Sequence, residues 1–243
     1  MPWWNPVRCA WWWPKWKVTS FLMLHSVSEE VVDGECPNNT VRPAELESLI
    51  ENLKSRGYRF RTFKDAVEDE LLGRPESKKT VSLTFDDGYV DNYAYLFPVL
   101  KRTETCATCF VTNRGESDPG FLSPGQIREM SGSGLVEFGG HTATHCILNR
   151  VGLERARVEI ESNKRWIEDA VGGEIVSFAY PCGGENEDVV RAVRSAGYRY
   201  GAAMVKKMRP VGTDLMRVHR QIIPRGVLPW QAYLLATRGK FMI

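Results

Sequence analysis

Three short segments carry residue types from which a hydrolytic site could be built: Asp86, Asp87 and Gly88; the stretch HTATH from His141 to His145; and YPCGG from Tyr180 to Gly184. Two histidines four apart on one turn can aim both imidazoles at a single point. One carboxylate completes a ligand set of two histidines and one aspartate, leaving a fourth position for water, and such an open position marks catalytic rather than structural zinc. Bound metal lowers the pKa of that water, and a second carboxylate outside the ligand set can take its proton. The adjacent Asp86 and Asp87 can fill the two roles. Singly each segment is weak, since Asp and Gly are ordinary turn residues. Together they have force because all three follow strand-like runs.

Those runs alternate with helical patterns. Strands are expected at Val18–Leu24, Val81–Phe85, Ala107–Val111, Val136–Phe138, Ile175–Tyr180, Tyr200–Met204 and Leu215–Ile223. Between them, Pro43 opens a helix with Leu46, Leu49, Ile50 and Leu53 at helical spacing, and Gly57 closes it. Further helices are expected at Phe63–Leu72, Tyr89–Arg102 (kinked or shortened by Pro98), Pro124 toward Met130 behind Ser123 as N-cap, Gly152–Val171 with Val158, Ile160 and Ile167 inside, and Glu187–Ala196. Strands separated by helices imply a parallel sheet with crossovers, and seven of them favour a closed or nearly closed barrel. Active sites of parallel barrels gather at the C-terminal strand ends, where these three segments fall.

At 243 residues, with 43% hydrophobic and 26% charged, the composition is that of one globular α/β domain. A formal charge of +2 without a basic stripe points away from nucleic acid. The six cysteines are too scattered for a disulfide scaffold, and Cys106 and Cys109 read as buried strand thiols. Residues 1–17 form a separate tail holding six of the eight tryptophans, ahead of a domain at 18–243. Prolines and charges interrupt this tail, so it is no clear signal peptide, and no run reaches the length of a membrane span. Its Trp, Lys and Arg suit a peripheral membrane contact; a poorly ordered tail or a misplaced start codon is the plainer reading. The compartment is left open between cytoplasm and cell envelope.

The motifs TFDDG, H-T-x-x-H and the Pro-containing third segment resemble those of the polysaccharide deacetylases, carbohydrate esterase family 4 (the NodB-homology domain). The flanking LMLHSVS, SLTFDDGYVDNY, ATCFV, SFAYPCGG and RSAGY are similar to its branch acting on poly-N-acetylglucosamine. The resemblance spans roughly Val18 to Arg220. It implies a distorted (β/α)7 barrel and hydrolysis of an N-acetyl group on an acetylated carbohydrate. It implies a divalent metal, zinc first with cobalt or nickel as alternatives, held by Asp87, His141 and His145, with Asp86 as general base. The oxyanion would meet the metal and a backbone N–H, with Tyr180, Pro181 and Cys182 as substrate-binding positions.

The acid for the departing amine is expected to be His25, as in the resembling branch, ahead of the late His219. Where the family commonly has R-x-P-Y-G, this chain has Ala179, Pro181 and Cys182, so the usual arginine contact to the catalytic Asp is missing. Arg217 and Arg220 are candidates to replace it. Tyr89, Tyr93 and Tyr180 could stack on sugar rings. Rival readings are a deacetylase of an O-acetylated glycan or small amide, and a non-catalytic sugar-binding protein on the same scaffold.

Overall fold

The computed structural model describes residues 19–30, 39–72, 79–204 and 214–226. The Trp-rich tail, Val18, Cys9 and Cys36 lie outside them. In chain order the elements are β1 (Ser20–Leu24), β2 (Ser26–Val27), β3 (Thr40–Val41), α1 (Pro43–Ser55), β4 (Arg59–Phe60), α2 (Phe63–Leu71), β5 (Thr80–Phe85), α3 (Phe97–Thr103), β6 (Ala107–Val111), α4 (Pro124–Gly132), β7 (Val136–Gly140), α5 (Leu153–Val171), β8 (Ser177–Ala179), α6 (Glu187–Ser195), β9 (Tyr200–Met204) and β10 (Val218–Ile222).

The ring runs β1-β10-β9-β8-β7-β6-β5 and closes back on β1, in parallel throughout. Closure is firm at β1 and β5, in register from Ser20 opposite Val81 to Leu24 opposite Phe85. This is a distorted seven-stranded (β/α) barrel. The distortion has a visible source. The start of β5 pairs with the two-residue β4, and only its end, Thr84 and Phe85, pairs with β6. The opening between β5 and β6 is filled by α2, where Phe63 donates its N–H to Thr108 Oγ1 at 2.7 Å. The Phe63 ring packs edge-on against Phe21 and Phe110 inside the barrel, at 5.2 and 5.5 Å between centroids.

Alternation along each strand sorts side chains into two cores. Phe21, Phe110, Ala179, Ala202 and Val218 fill the barrel interior. Leu22, Leu83, Cys109, Phe138, Phe178 and Tyr180 face the surrounding helices. Burial pushes the Cys109 thiol up and Cys106 to about 11, so neither is a thiolate at neutral pH.

Three expectations need correction. Val158 of α5 is 64% exposed. The buried stripe of that helix is Ala156, Glu159, Ile160, Asn163, Ile167 and Ala170, and Val158 falls on the opposite face. The helix expected from Tyr89 begins only at Asn92, as a wide five-residue π turn that runs into α3. Pro98 then sits in the first turn of α3, where its missing N–H costs nothing, so it does not kink the helix but marks its start, and the regular helix is shortened to Phe97–Thr103. The third concerns Tyr180, which belongs with the site.

Candidate active site at the barrel mouth

The first motif leaves β5 on a strained turn. Asp87 has φ +73° and Gly88 φ +79°, and a Cβ at Gly88 would meet Val111 Cγ1 at 2.8 Å, so only glycine fits there. In the second motif Thr142 and His145 both have φ +63°, and in the third Cys182 has φ +52°. Four of the five non-glycine residues with positive φ among the described residues therefore lie in these motifs. Each such conformation costs about 1–3 kcal/mol and persists only when its surroundings over-determine it.

The surroundings do so through buried hydrogen bonds. Asn163 of α5 accepts from the His141 backbone N–H at 2.8 Å and donates to the carbonyl of Val111 at 3.0 Å. One turn earlier, Glu159 accepts from the N–H and hydroxyl of Thr144, both at 2.9 Å. At the first motif, Asp86 donates its N–H to Leu24 O at 3.0 Å, tying it to the end of β1.

These braces bring Asp87, His141 and His145 together, with one ligand atom from each lying within 4.8 Å of the others. Asp87 Oδ1 faces His141 Nε2 at 3.4 Å and His145 Nε2 at 3.1 Å. His141 Nδ1 lies 2.8 Å from the carbonyl of Ala179, which can only accept, so Nδ1 carries the proton. In the neutral ring, Nε2 then presents a lone pair toward a carboxylate oxygen that is buried and has no hydrogen-bond donor. Converging lone pairs need a positive charge between them, and this donor set of two imidazoles and one carboxylate suits a divalent cation such as zinc. The residues fit the metal that the motifs imply. With no cation between them, the imidazoles would have to be protonated to meet Asp87, and as charged donors they would hold its carboxyl below the usual range against the opposing effect of burial.

Asp86 is set apart from that trio. Both its oxygens take the guanidinium of Arg220, Nη1 at 2.6 Å and Nη2 at 2.8 Å. Burial opposes ionisation, yet Arg220 above all, with His141 and His25, holds this carboxyl below its ordinary value. Of the two arginines considered, Arg217 is engaged elsewhere, by Glu185, Asp214 and Glu187.

His25 follows β1 at the same mouth, half-buried, and its Nδ1 is buried without a hydrogen-bond partner. Its backbone carbonyl accepts from Asn92 Nδ2 at 3.0 Å, and Asp91 beside it accepts from Ser26 Oγ and Val27 N. His219 neighbours Arg220 on β10, so alternation turns it to the opposite face of the strand.

Pro181 is buried and Cys182 exposed at the rim. Tyr180 is only 1% exposed and packs edge-on against Phe178 at 5.3 Å in the helix-facing core. Its ring is turned from the mouth because Ala179, one residue earlier, takes the inward position. Tyr89, stacked on Phe121 at 5.2 Å, is half-buried, and so is Tyr93, whose hydroxyl reaches Glu129 at 2.6 Å while its ring packs against the edge of that core. Motif reading missed Asn163 and Glu159. Their signal was two polar residues four apart on the buried stripe of an amphipathic helix.

A parallel barrel with two carboxylates and three histidines gathered at its strand ends has the layout of a barrel enzyme whose chemistry lies at its mouth. Residues 73–201 match the family described as polysaccharide deacetylase, and the chain belongs to that family, which is one of hydrolases. It is 26% identical over 219 residues to a poly-β-1,6-N-acetyl-D-glucosamine N-deacetylase of Staphylococcus epidermidis, covering 85% of this chain and 74% of that one. A solved polysaccharide deacetylase from Bacillus cereus superposes with a TM-score of 0.78 at 25% identity, covering 90% of this chain and 69% of its own. The Streptococcus pyogenes deacetylase PplD, solved with acetate, shares the fold at a TM-score of 0.81 and 23% identity, covering 90% and 97%. Among the described residues no helix is long and apolar enough to cross a membrane.

Proposed function

We propose that this chain is a metal-dependent deacetylase that removes N-acetyl groups from an N-acetylglucosamine-containing polysaccharide or oligosaccharide. The observation that carries the reading is the convergence of Asp87, His141 and His145 beside a separate carboxylate, Asp86, that is buried and held by Arg220. The relative named as a poly-β-1,6-N-acetylglucosamine deacetylase supports the substrate class.

Asp87, His141 and His145 would hold the cation. When bound, it would make the acetyl carbonyl more electrophilic and a nearby water more acidic. Asp86 takes the proton as the water oxygen adds to the acetyl carbon. The backbone N–H of Cys182 donates to the developing oxyanion, a role open to every residue except proline, so the cysteine side chain is no obstacle. His25 then protonates the nitrogen as the C–N bond breaks, because an unprotonated amide nitrogen leaves poorly. Acetate and a free amine on the sugar result.

The test is acetate release from N-acetylated and O-acetylated glycans, before and after chelation and with zinc, cobalt or nickel restored. Release from N-acetylglucosamine oligomers that chelation abolishes and metal restores is expected. Activity indifferent to chelation, or confined to O-acetyl esters, would overturn the reading.

A further inference from the structure

We infer that Arg217 is a positioning residue for the third motif: it holds the 183–187 segment against the second-motif loop and so fixes the backbone at Cys182. The inference rests on the deacetylase reading, which gives the Cys182 N–H to the oxyanion, and deepens it.

Three observations carry it. The three guanidinium nitrogens of Arg217 reach three separate segments. Nε donates to Glu185 beside the third motif, Nη2 to Glu187 in the first turn of α6, and Nη1 to Asp214 ahead of β10, each at 2.8 Å. The base of the arginine is itself fixed. Asp214 accepts from Met216 N at 3.0 Å on its side chain and from Arg217 N at 3.1 Å on its carbonyl. This turn presses on β9, where Gly201 donates its N–H to Leu215 O at 2.8 Å and a Cβ on Gly201 would lie 2.2 Å from Met216 O.

The far side of the third-motif segment leans on the second. Asn149 donates its N–H to Gly184 O at 3.2 Å, and a Cβ on Gly184 would meet Ile147 Cγ2 at 2.6 Å. Between these two supports Cys182 has φ +52° and Gly183 φ +64°, and a non-glycine residue stays left-handed only when its surroundings hold it there. The N–H groups of Gly183, Gly184 and Glu185 go to carbonyls of the segment itself, those of Tyr180, Pro181 and Gly183. Those bonds set its curl; Asn149 and Arg217 set its place. Stability is a poor account of the cluster, because the side chains of Arg217 and Glu187 are 22% and 73% exposed and such open ion pairs contribute little. A planar guanidinium can fix direction for several carboxylates at once, which an ammonium cannot.

Arg217 touches no reacting atom; it acts through the backbone at Cys182. The distinguishing experiment compares wild type, Arg217→Gln, Arg217→Lys, Glu185→Gln and the double variant Arg217→Gln with Glu185→Gln. On N-acetylglucosamine oligomers, Arg217→Gln and Glu185→Gln should each lower kcat by up to about a hundredfold, as for other small misplacements of a reacting group. The double variant should fall no further than the worse single, because both remove one support. Arg217→Lys should recover little. KM, metal affinity and melting temperature should stay near wild type. Amide hydrogen exchange at residues 183–185 should quicken in Arg217→Gln while that at residues 141–145 does not. Four results would overturn the inference: wild-type kcat in Arg217→Gln, a loss of kcat that tracks metal affinity or melting temperature, multiplying losses in the double variant, or unchanged exchange at 183–185. The exchange readout needs no substrate, so quickened exchange in a protein that releases no acetate would leave Arg217 in place and count against the deacetylase reading alone.

Discussion

Asn163, on a helix outside the barrel, accepts a hydrogen bond from the backbone N–H of His141 at 2.8 Å. It also donates to Val111 O and, at 2.8 Å, to Asn113 Oδ1. One fully buried amide thus joins α5, the end of β6 and the peptide that carries a candidate ligand. Asn163→Ala should leave those groups without partners, lowering stability by about 1–3 kcal/mol. Metal affinity should fall roughly ten- to a hundredfold, as for other residues that orient ligands. Denaturant unfolding and a metal titration check the two effects separately, and unchanged affinity would remove Asn163 from the ligand scaffold.

The two candidate acids occupy different faces. His25→Gln should lower kcat by roughly 10²–10⁴ while leaving metal affinity intact. His219→Gln should remain near wild type. Reversal of this order in acetate-release assays would return the acid role to His219.

Tyr180 has a buried hydroxyl with no hydrogen-bond partner, and burial pushes that hydroxyl's pKa up. Tyr180→Phe removes an unsatisfied polar atom and keeps the ring, so the variant should melt at the same temperature as wild type or higher. KM should not change. A raised KM would restore Tyr180 to the substrate surface.

Glu137 of β7 points into the lower barrel, where Ser177 Oγ, Thr108 Oγ1 and Lys64 N all donate to it. Burial outweighs these donors and raises its pKa above the unfolded value. The folded state therefore holds the proton more tightly, and this group's contribution to stability falls as pH rises from the unfolded value through the folded one. Relative to wild type, Glu137→Gln should gain stability across that window, because its amide can meet the same partners without a charge. Unfolding curves for both proteins at stepped pH measure the difference; parallel curves would refute the assignment.

Much of the fold was legible locally. All seven strand-like runs appear as barrel strands, six of them as short, largely apolar stretches and the last, Leu215–Ile223, as apolar residues interspersed with polar ones. Ser123 caps α4 with Gln126 closing the reciprocal bond, as the Ser-Pro start suggested. The failures also have local causes. Val158 was assigned inward because it is apolar, whereas the buried stripe of α5 spends two places on Glu159 and Asn163. Tyr180 adjoins the third motif and so suggests a substrate contact, but it follows directly on β8, and its ring continues that strand's alternation into the helix-facing core.

The sequence by itself determined which side chains could do chemistry, their order, and their place at the ends of strands. Those features depend on residue type and on spacings of a few residues, which any window of the chain contains. Only the tertiary structure decided that Arg220 rather than Arg217 reaches Asp86 across 134 residues, and that Asn163 and Glu159 hold the second motif. Such pairings depend on strand order and register around the closed barrel, where a shift of one residue would turn Arg220 out and His219 in. No local pattern carries that information, because the contact exists only once β1 has paired with both β5 and β10.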